Sequence, residues 1–332
     1  MVNHRIATRV EWFIFIIGLL VLSLLPTFGN DYLLHVLVMV LLYAYLGSCW
    51  NIIGGYAGQF SFGHAAFYGI GAYTSSMLSF YWGVSPWIGF VAGGVLSGLF
   101  ALGAGTLSFR YGLKGPFFAL VTLAYAEMLR LVANTLKVTG AAVGLFLPLK
   151  GNSLLEFQFN VKYPYYYVIL LMVTGIVIFS RWLERGKMGF YLNAIRGNEN
   201  AAAASGVNIV RYKLIAFVIS AFLTALGGTF YAQYYLFIDP IIVFGSGASI
   251  DILIRPIIGG VASVWGPIVG AFVLGPLSEF SRGLLRGYPG LDMMLYGAIL
   301  IAVLLFMPHG IIGKVSEKKG GMETRQNAVP LR

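Results

Sequence analysis

An all-α fold, a polytopic membrane bundle of about 10 (9–10) transmembrane helices, follows from three features of this sequence. Of its 332 residues, 58% are hydrophobic and only 10% charged, whereas a soluble chain carries roughly a quarter charged. Apolar runs long enough for a ~30 Å hydrocarbon core recur at 12–28, 32–53, 86–109, 165–182, 214–236 and 291–308. Arg and Lys gather in loops and tails, among them Arg110, Lys114, Arg185, Lys187, Arg211, Lys213 and Lys314. A positive-inside bias places them there, so the net charge of +10 points to the lipid bilayer and not to nucleic acid.

Arg5 and Arg9 put residues 1–11 in the cytoplasm. The apolar run that follows leads into Pro26-Thr27-Phe28-Gly29 and no small-x-small cleavage site, which predicts a retained first helix. A second helix returns by Ile53. The stretch from Gly54 to His64, GGYAGQFSFGH, is too glycine-rich and polar for ordinary helix. Irregular backbone at membrane depth is tolerated only where it is buried in protein or faces a water-filled cavity. Gln59, Ser61 and His64 are therefore candidates to line the pathway of a polar solute, with a surface turn as the alternative. A third span over 65–81, a turn at 82–85 and a fourth span to Phe109 follow. Gly93, Gly94, Gly98, Gly103 and Gly105 in that fourth span suit close helix approach.

The fifth span, 116–135, carries Glu127 and Arg130, three residues apart on one face. Charges inside a span face a bundle interior or a polar path. Glu127 is thus a further pathway candidate, with a self-neutralising structural pair as the other reading. An external segment over 136–163 precedes the sixth span. The basic loop of about 184–213 then falls on the cytoplasmic side. In it, an alanine-rich segment carrying Arg196, Asn198 and Glu199 and ending at Gly206 predicts one short helix outside the bilayer. Two readings stand: an amphipathic connector whose Lys187, Arg196, Arg211 and Lys213 rest on anionic headgroups, or a docking helix for a cytoplasmic partner. In the second, small residues Ala201–Ala204 permit close seating and Gly206 caps the end.

Beyond the next span, 249–260 is short, contains Asp251, Arg255 and Pro256, and runs into a second apolar stretch at 267–277. Two short crossings around a glycine turn give ten crossings and a cytoplasmic tail; one broken span gives nine. Gly54-Gly55-Tyr56-Ala57 is echoed by Gly259-Gly260-Val261-Ala262. An internal repeat of the kind transporters contain and the coincidence of glycine-rich helices both account for it. The permease domain accordingly spans 12–313, and 314–332 is a polar cytoplasmic tail. Cys49, the single cysteine, excludes an intramolecular disulfide and a cysteine metal cluster. His4, His35, His64 and His309 have no metal-ligand spacing, and neither a catalytic triad nor a phosphate-cradling loop occurs. The chain reads as a transport subunit, not an enzyme, with no cofactor of its own.

Several separated blocks carry a family resemblance. They are the run from Trp50 to His64, Gly115-Pro116-Phe117-Phe118-Ala119 with Thr122 and Glu127, Ala194-Ile195-Arg196 through Ala201-Ala202 to Gly206-Val207, Gly259-Gly260 to Gly266-Pro267, and Phe306 to Gly313. Together they resemble the integral-membrane permease subunits of bacterial branched-chain amino acid ABC importers, specifically the longer of the two paired permeases. The resemblance implies a multi-pass protein of the bacterial inner membrane. It also implies partners: a second homologous permease, two cytoplasmic ATPases that bind the ATP, and an extracytoplasmic substrate-binding protein. The third block is similar to the coupling loop of importer permeases, where an alanine pair precedes a glycine by five and four residues, as Ala201 and Ala202 precede Gly206. On that likeness Arg196, Glu199, Asn200, Ala201, Ala202 and Gly206 are the ATPase-coupling candidates. Asn200 stands where other importer families often have Glu, which leaves open whether Glu199 takes its part. Ala141 stands where the family usually has glycine. Relatives of this kind also move urea or short amides, and a proton-coupled secondary transporter working alone is the reading from a different class.

Overall fold

A computed structural model describes residues 15–28 and 30–284, with isolated positions 294, 297–298, 301 and 310–312. The expected cytoplasmic N-terminus, the apolar run at 291–308 and the polar tail lie outside the described residues. Within them the chain is helical almost throughout. Helices α1 (Phe15–Thr27), α2 (Asp31–Asn51), α3 (His64–Trp82), α4 (Pro86–Arg110), α5 (Gly115–Thr135) and α6 (Tyr163–Arg185) are followed by two short ones, α7 (Lys187–Gly197) and α8 (Glu199–Ala204). The long α9 (Ile209–Tyr235), the single-turn α10 (Pro240–Phe244), α11 (Ser246–Gly259) and α12 (Gly266–Leu284) complete the order. A π-helical turn, Ile52–Tyr56, extends α2, so that α2, α4, α5, α6 and α9 are the five described helices long and apolar enough to cross a membrane. The chain is thus an α-helical, multi-pass membrane protein, and the described residues do not reach the expected count of ten crossings. One reason is α11: 14 residues rise only about 21 Å, short of a ~30 Å core.

Helix α9 sits at the centre, packed along α3 and α4, while α2 bridges α6, α11 and α12. Lipid tails are as apolar as leucine, so helix association in a bilayer depends on close approach and on hydrogen bonds. Both are present. A Cβ at Gly71 of α3 would overlap the Ala225 carbonyl of α9, and one at Gly228 would overlap the Tyr68 carbonyl. Thr229 Oγ1 donates to the Gly71 carbonyl at 3.0 Å across the same seam, while Ser97 Oγ of α4 donates to Ala221 at 2.9 Å and Tyr45 Oη of α2 to Leu223 at 2.8 Å, both on α9. The aromatic core of Trp50, Phe67, Phe118, Phe217 and Phe230 fills the space between. The outer faces of α4 and α5, with Ile88, Val91, Leu99, Leu120 and Leu131, stay exposed.

The stretch after α2 departs from ordinary helix, as its composition predicts: the π turn gives way at Gly58 (φ +65°) to irregular chain as far as Gly63. Its echo behaves alike. After Pro256 the chain turns at Gly260 (φ +130°) and returns as α12, antiparallel to α11. The two echoes touch: the Asn51 side chain accepts from the Ala262 amide at 2.9 Å and donates to the Ser263 carbonyl at 3.0 Å.

Residues 136–162 form two 3₁₀ turns, a two-residue strand β1 (Leu145–Phe146) and irregular chain. Strand β1 pairs antiparallel with β2 (Phe237–Ile238), Leu145 opposite Ile238. Ala141 holds φ +49°, the left-handed region that costs a residue with a Cβ about 1–2 kcal/mol. Ala141→Gly removes that cost and adds back roughly 0.5–1 kcal/mol of unfolded-chain entropy. A net gain of about 0.5–1 kcal/mol is expected, read as a raised thermal midpoint of the detergent-solubilised protein. A lowered midpoint would show the left-handed turn to be unstrained.

Candidate functional site

The loop between α6 and α9 is built by its caps. Helix α6 ends where Gly186 adopts extended backbone (φ −82°, ψ 166°), and α7 starts at once. The sequence leads one to expect a single short helix through Arg196 and Glu199; the structure breaks it at Asn198 (φ −159°, ψ 111°). The Asn198 side chain accepts from the Asn200 and Ala201 amides at 3.0 and 3.1 Å, which satisfies donors that a helix start leaves unpaired. Helix α8 ends in paired bonds from Gly206 N to Ala203 O (2.9 Å) and Val207 N to Ala202 O (3.1 Å). That geometry needs a left-handed residue after the cap, and Gly206 supplies it at φ +84°. Asn208 then caps α9, accepting from the Arg211 amide at 3.0 Å.

The loop presents one face outward and anchors the other. Arg196, Asn200, Ala201, Ala203, Ala204, Ser205 and Gly206 are exposed; Ala202, Leu192 and Ile195 are buried. Glu199 turns inward. Its carboxylate accepts from Lys213 Nζ at the start of α9, pairs with Lys114 Nζ at 3.0 Å just before α5, and accepts from Gln59 Nε2 at 3.2 Å. One carboxylate therefore ties α8 to α9, to α5 and to the irregular stretch after α2. Burial pushes this carboxyl's pKa up, but hydrogen bonds and charge from Lys213 and Lys114 outweigh that and hold it below the usual range. Lys213 is no headgroup contact: its side chain is 3% exposed and its ammonium lies 5.8 Å from the centre of the Phe109 ring. Nearby, a Cβ at Gly58 would come within 3.0 Å of Arg196 Cγ, so α7 rests on the irregular stretch as well.

The pathway candidates are distributed differently. Gln59 joins the loop cluster. Ser61 and His64 are buried and bonded to each other (Oγ to Nδ1, 3.1 Å). His64 Nε2 meets Ser220 Oγ of α9 at 2.8 Å, and Ser220 donates to the Cys49 carbonyl at 2.7 Å. The Ser61 carbonyl accepts from Trp50 Nε1 at 2.7 Å. These two residues thus lock the irregular stretch between α2 and α9. Glu127 lies away from both, on the outward face of α5, held by Arg130 Nε at 2.9–3.0 Å. Lys114, Lys213, Asn51 and Asn198 escape a sequence reading as partners. Only Asn198, a cap-forming residue before an alanine run, carried a local signal.

The family described as branched-chain amino acid transport system, permease component, matches residues 32–304. The high-affinity branched-chain amino acid transport system permease protein LivM of Salmonella typhimurium is 29% identical over 326 residues, covering 90% of this chain and 74% of the relative. LivM of Escherichia coli is 28% identical with the same coverage. The corresponding permease protein LivH of Escherichia coli is 26% identical, covering 83% of this chain and 93% of its own. No solved structure matches.

Proposed function

From the premise that this chain belongs to the family of branched-chain amino acid transport permease components, we propose that it is one membrane subunit of an ATP-driven importer of leucine, isoleucine and valine. Its partners in this reading are a second, homologous permease, two cytoplasmic ATPases and an extracytoplasmic substrate-binding protein. The observation that carries the coupling role is the α7–α8 loop. It offers a smooth exposed face at Ala201, Ala203, Ala204 and Gly206, and it is bolted by Glu199 to α5, α9 and the stretch after α2. A motor seated on that face would move three parts of the membrane domain through one carboxylate. Arg185, Lys187, Arg196 and Arg211 around the loop favour a cytoplasmic setting, and with it a cytoplasmic N-terminus. Glu127 supports the proton-coupled alternative poorly, because its charge is already matched by Arg130.

Reconstituting the chain in vesicles with its sister permease, ATPases and binding protein tests this reading. ATP-dependent accumulation of labelled leucine is expected. Uptake that persists without the ATPases and follows a proton gradient would overturn it.

A further inference from the structure

The segment between α5 and α6 carries a tight turn whose tip has the wrong composition for water. Ser153 and Gln158 pair through their backbones, N to O at 3.0 and 3.3 Å, and close a turn over Leu154-Leu155-Glu156-Phe157. Turns in water favour Gly, Pro, Asn, Asp and Ser, and none of these stands at the four central positions. Leu154 and Leu155 are instead 69% and 72% exposed. The turn is nevertheless firmly seated. Phe157, fully buried, fits among the rings of Trp87, Phe90, Phe159, Tyr165 and Phe230. Trp87 Nε1 donates to the Leu154 carbonyl at 2.7 Å, and the Ser85 hydroxyl donates to the Leu155 carbonyl. The two leucines are thus tied by their backbones to the first turn of α4 while their side chains stay uncovered.

Helix α4 sets the depth of that turn. Its 25 residues rise about 37 Å against a core of ~30 Å, so each end overhangs slightly and Trp87 falls at the headgroup boundary. Trp and Tyr gather at this depth, and the exposed Tyr81 and Trp82 at the end of α3 do the same. From Ile88 an exposed stripe of Val91, Val95, Leu99 and Leu102 runs along α4 at spacings of three and four. The leucine tip is bonded to the head of that stripe. The far end of α4, Arg110, lies close in sequence to Lys114, the partner of Glu199, so the tip is at the end of the bundle opposite the α7–α8 loop. Glu156, the acid of the tip, is matched by Lys150 at 3.0 Å, which lowers the cost of bringing the turn against an apolar phase.

We propose that Leu154 and Leu155 insert into the membrane leaflet opposite the α7–α8 loop, so that lipid covers the turn and holds the segment between α5 and α6 against the bilayer. The tip extends a face that already meets lipid, and acyl chains are the partner that covers both without a break. This rests on the chain being a multi-pass membrane protein, not on the importer reading.

Nitroxide labels on Leu154→Cys and Leu155→Cys, made singly, test this, with Asn152→Cys on the exposed stem of the turn as the reference in water. The full-length chain is copurified with its sister permease into nanodiscs of phosphatidylethanolamine and phosphatidylglycerol. Cys49 is buried and stays unlabelled, as the chain without an added cysteine verifies. Collisions with oxygen, which concentrates among acyl chains, are compared with collisions with a nickel chelate, which stays in water. The oxygen-to-nickel ratio at 154 and 155 is expected to exceed that at 152 by about five-fold. Leu155→Asp in the chain labelled at 154 is expected to bring the ratio down to the reference, because a carboxylate resists entry to the acyl region. Should that variant fail to fold, the two singly labelled chains carry the test. Ratios at 154 and 155 equal to that at 152, or a high ratio surviving in folded Leu155→Asp, would overturn the insertion. So would labels shielded from both reagents, which would place the sister permease on the turn. Labels that lose contact with nickel only when the binding protein is added would make the turn a protein dock and overturn it as well. No solute or nucleotide enters the measurement, so the importer reading stands or falls separately.

Discussion

Changing Ala203 and Ala204 together to arginine is expected to strip the ATPase from the purified complex and to abolish ATP-dependent leucine uptake, while the protein folds and melts as before. Both residues are exposed on α8, so the substitution buries nothing in the free permease. Arginine is nearly as good a helix former as alanine, and surface changes of this kind stay within about 0.5 kcal/mol. The consequence falls wholly on whatever sits over the face. Two long charged side chains forced into a closely seated contact leave desolvated charge without partners, a loss of several kcal/mol at an interface centre. At about 1.4 kcal/mol per factor of ten, association weakens on the order of a hundred-fold. Ala202 is the wrong residue for this purpose, because it is 4% exposed and packs inward. A complex that still copurifies with its ATPase after both substitutions would place the motor elsewhere on the protein.

What the sequence disclosed about this site follows from the range over which sequence signals act. Spacing and capping are local. The bounds of α3, α4 and α5 and the departure from ordinary helix before His64 were therefore readable from glycine, proline and hydropathy alone. Gly206 as a helix stop was readable too. Asn198 was equally local, yet the alanine run after it suggested continuity, and the side-chain cap prevailed over helix propensity. The contact between Gln59 and Glu199 joins residues 140 apart, and no periodicity announces such a partner. It ties Gln59, a pathway candidate by sequence, to the loop's anchor. Length misled differently at 249–277, where the glycine turn was visible but the apolar runs could not say how deep α11 reaches. The echo of Gly54-Gly55 in Gly259-Gly260 gains physical content from Asn51, whose amide bonds one copy to the other.

Glu199→Ala should destabilise the loop end of the bundle more than any other single change at the site. It leaves the Lys213 ammonium, 3% exposed, without its carboxylate, and removing one partner of a buried pair costs about 3–5 kcal/mol. Because Glu199 is itself 16% exposed, the lower end, about 3 kcal/mol, is expected. Lys213→Met in the same chain should recover most of it, since an apolar side chain of similar length fits beside Phe109 without a charge to satisfy. The readout is twofold: thermal midpoint for the fold, and mobility of a spin label at Ala203 for α8. In the single variant the label loosens as the midpoint falls; in the double variant the midpoint returns while α8 stays loose, because Lys114 and Gln59 have still lost their common acceptor. The pH dependence has a fixed sign. A carboxyl whose pKa is depressed in the folded protein contributes its full stabilisation above its ordinary value near 4.5 and loses it as pH falls through the lower folded value. The wild-type label should therefore be unchanged from neutral pH down to about 5 and loosen only in stronger acid. Loosening between pH 6 and 7 would mean that some group other than Glu199 holds α8 in place, and that the carboxylate is not the joint between the loop and the membrane helices.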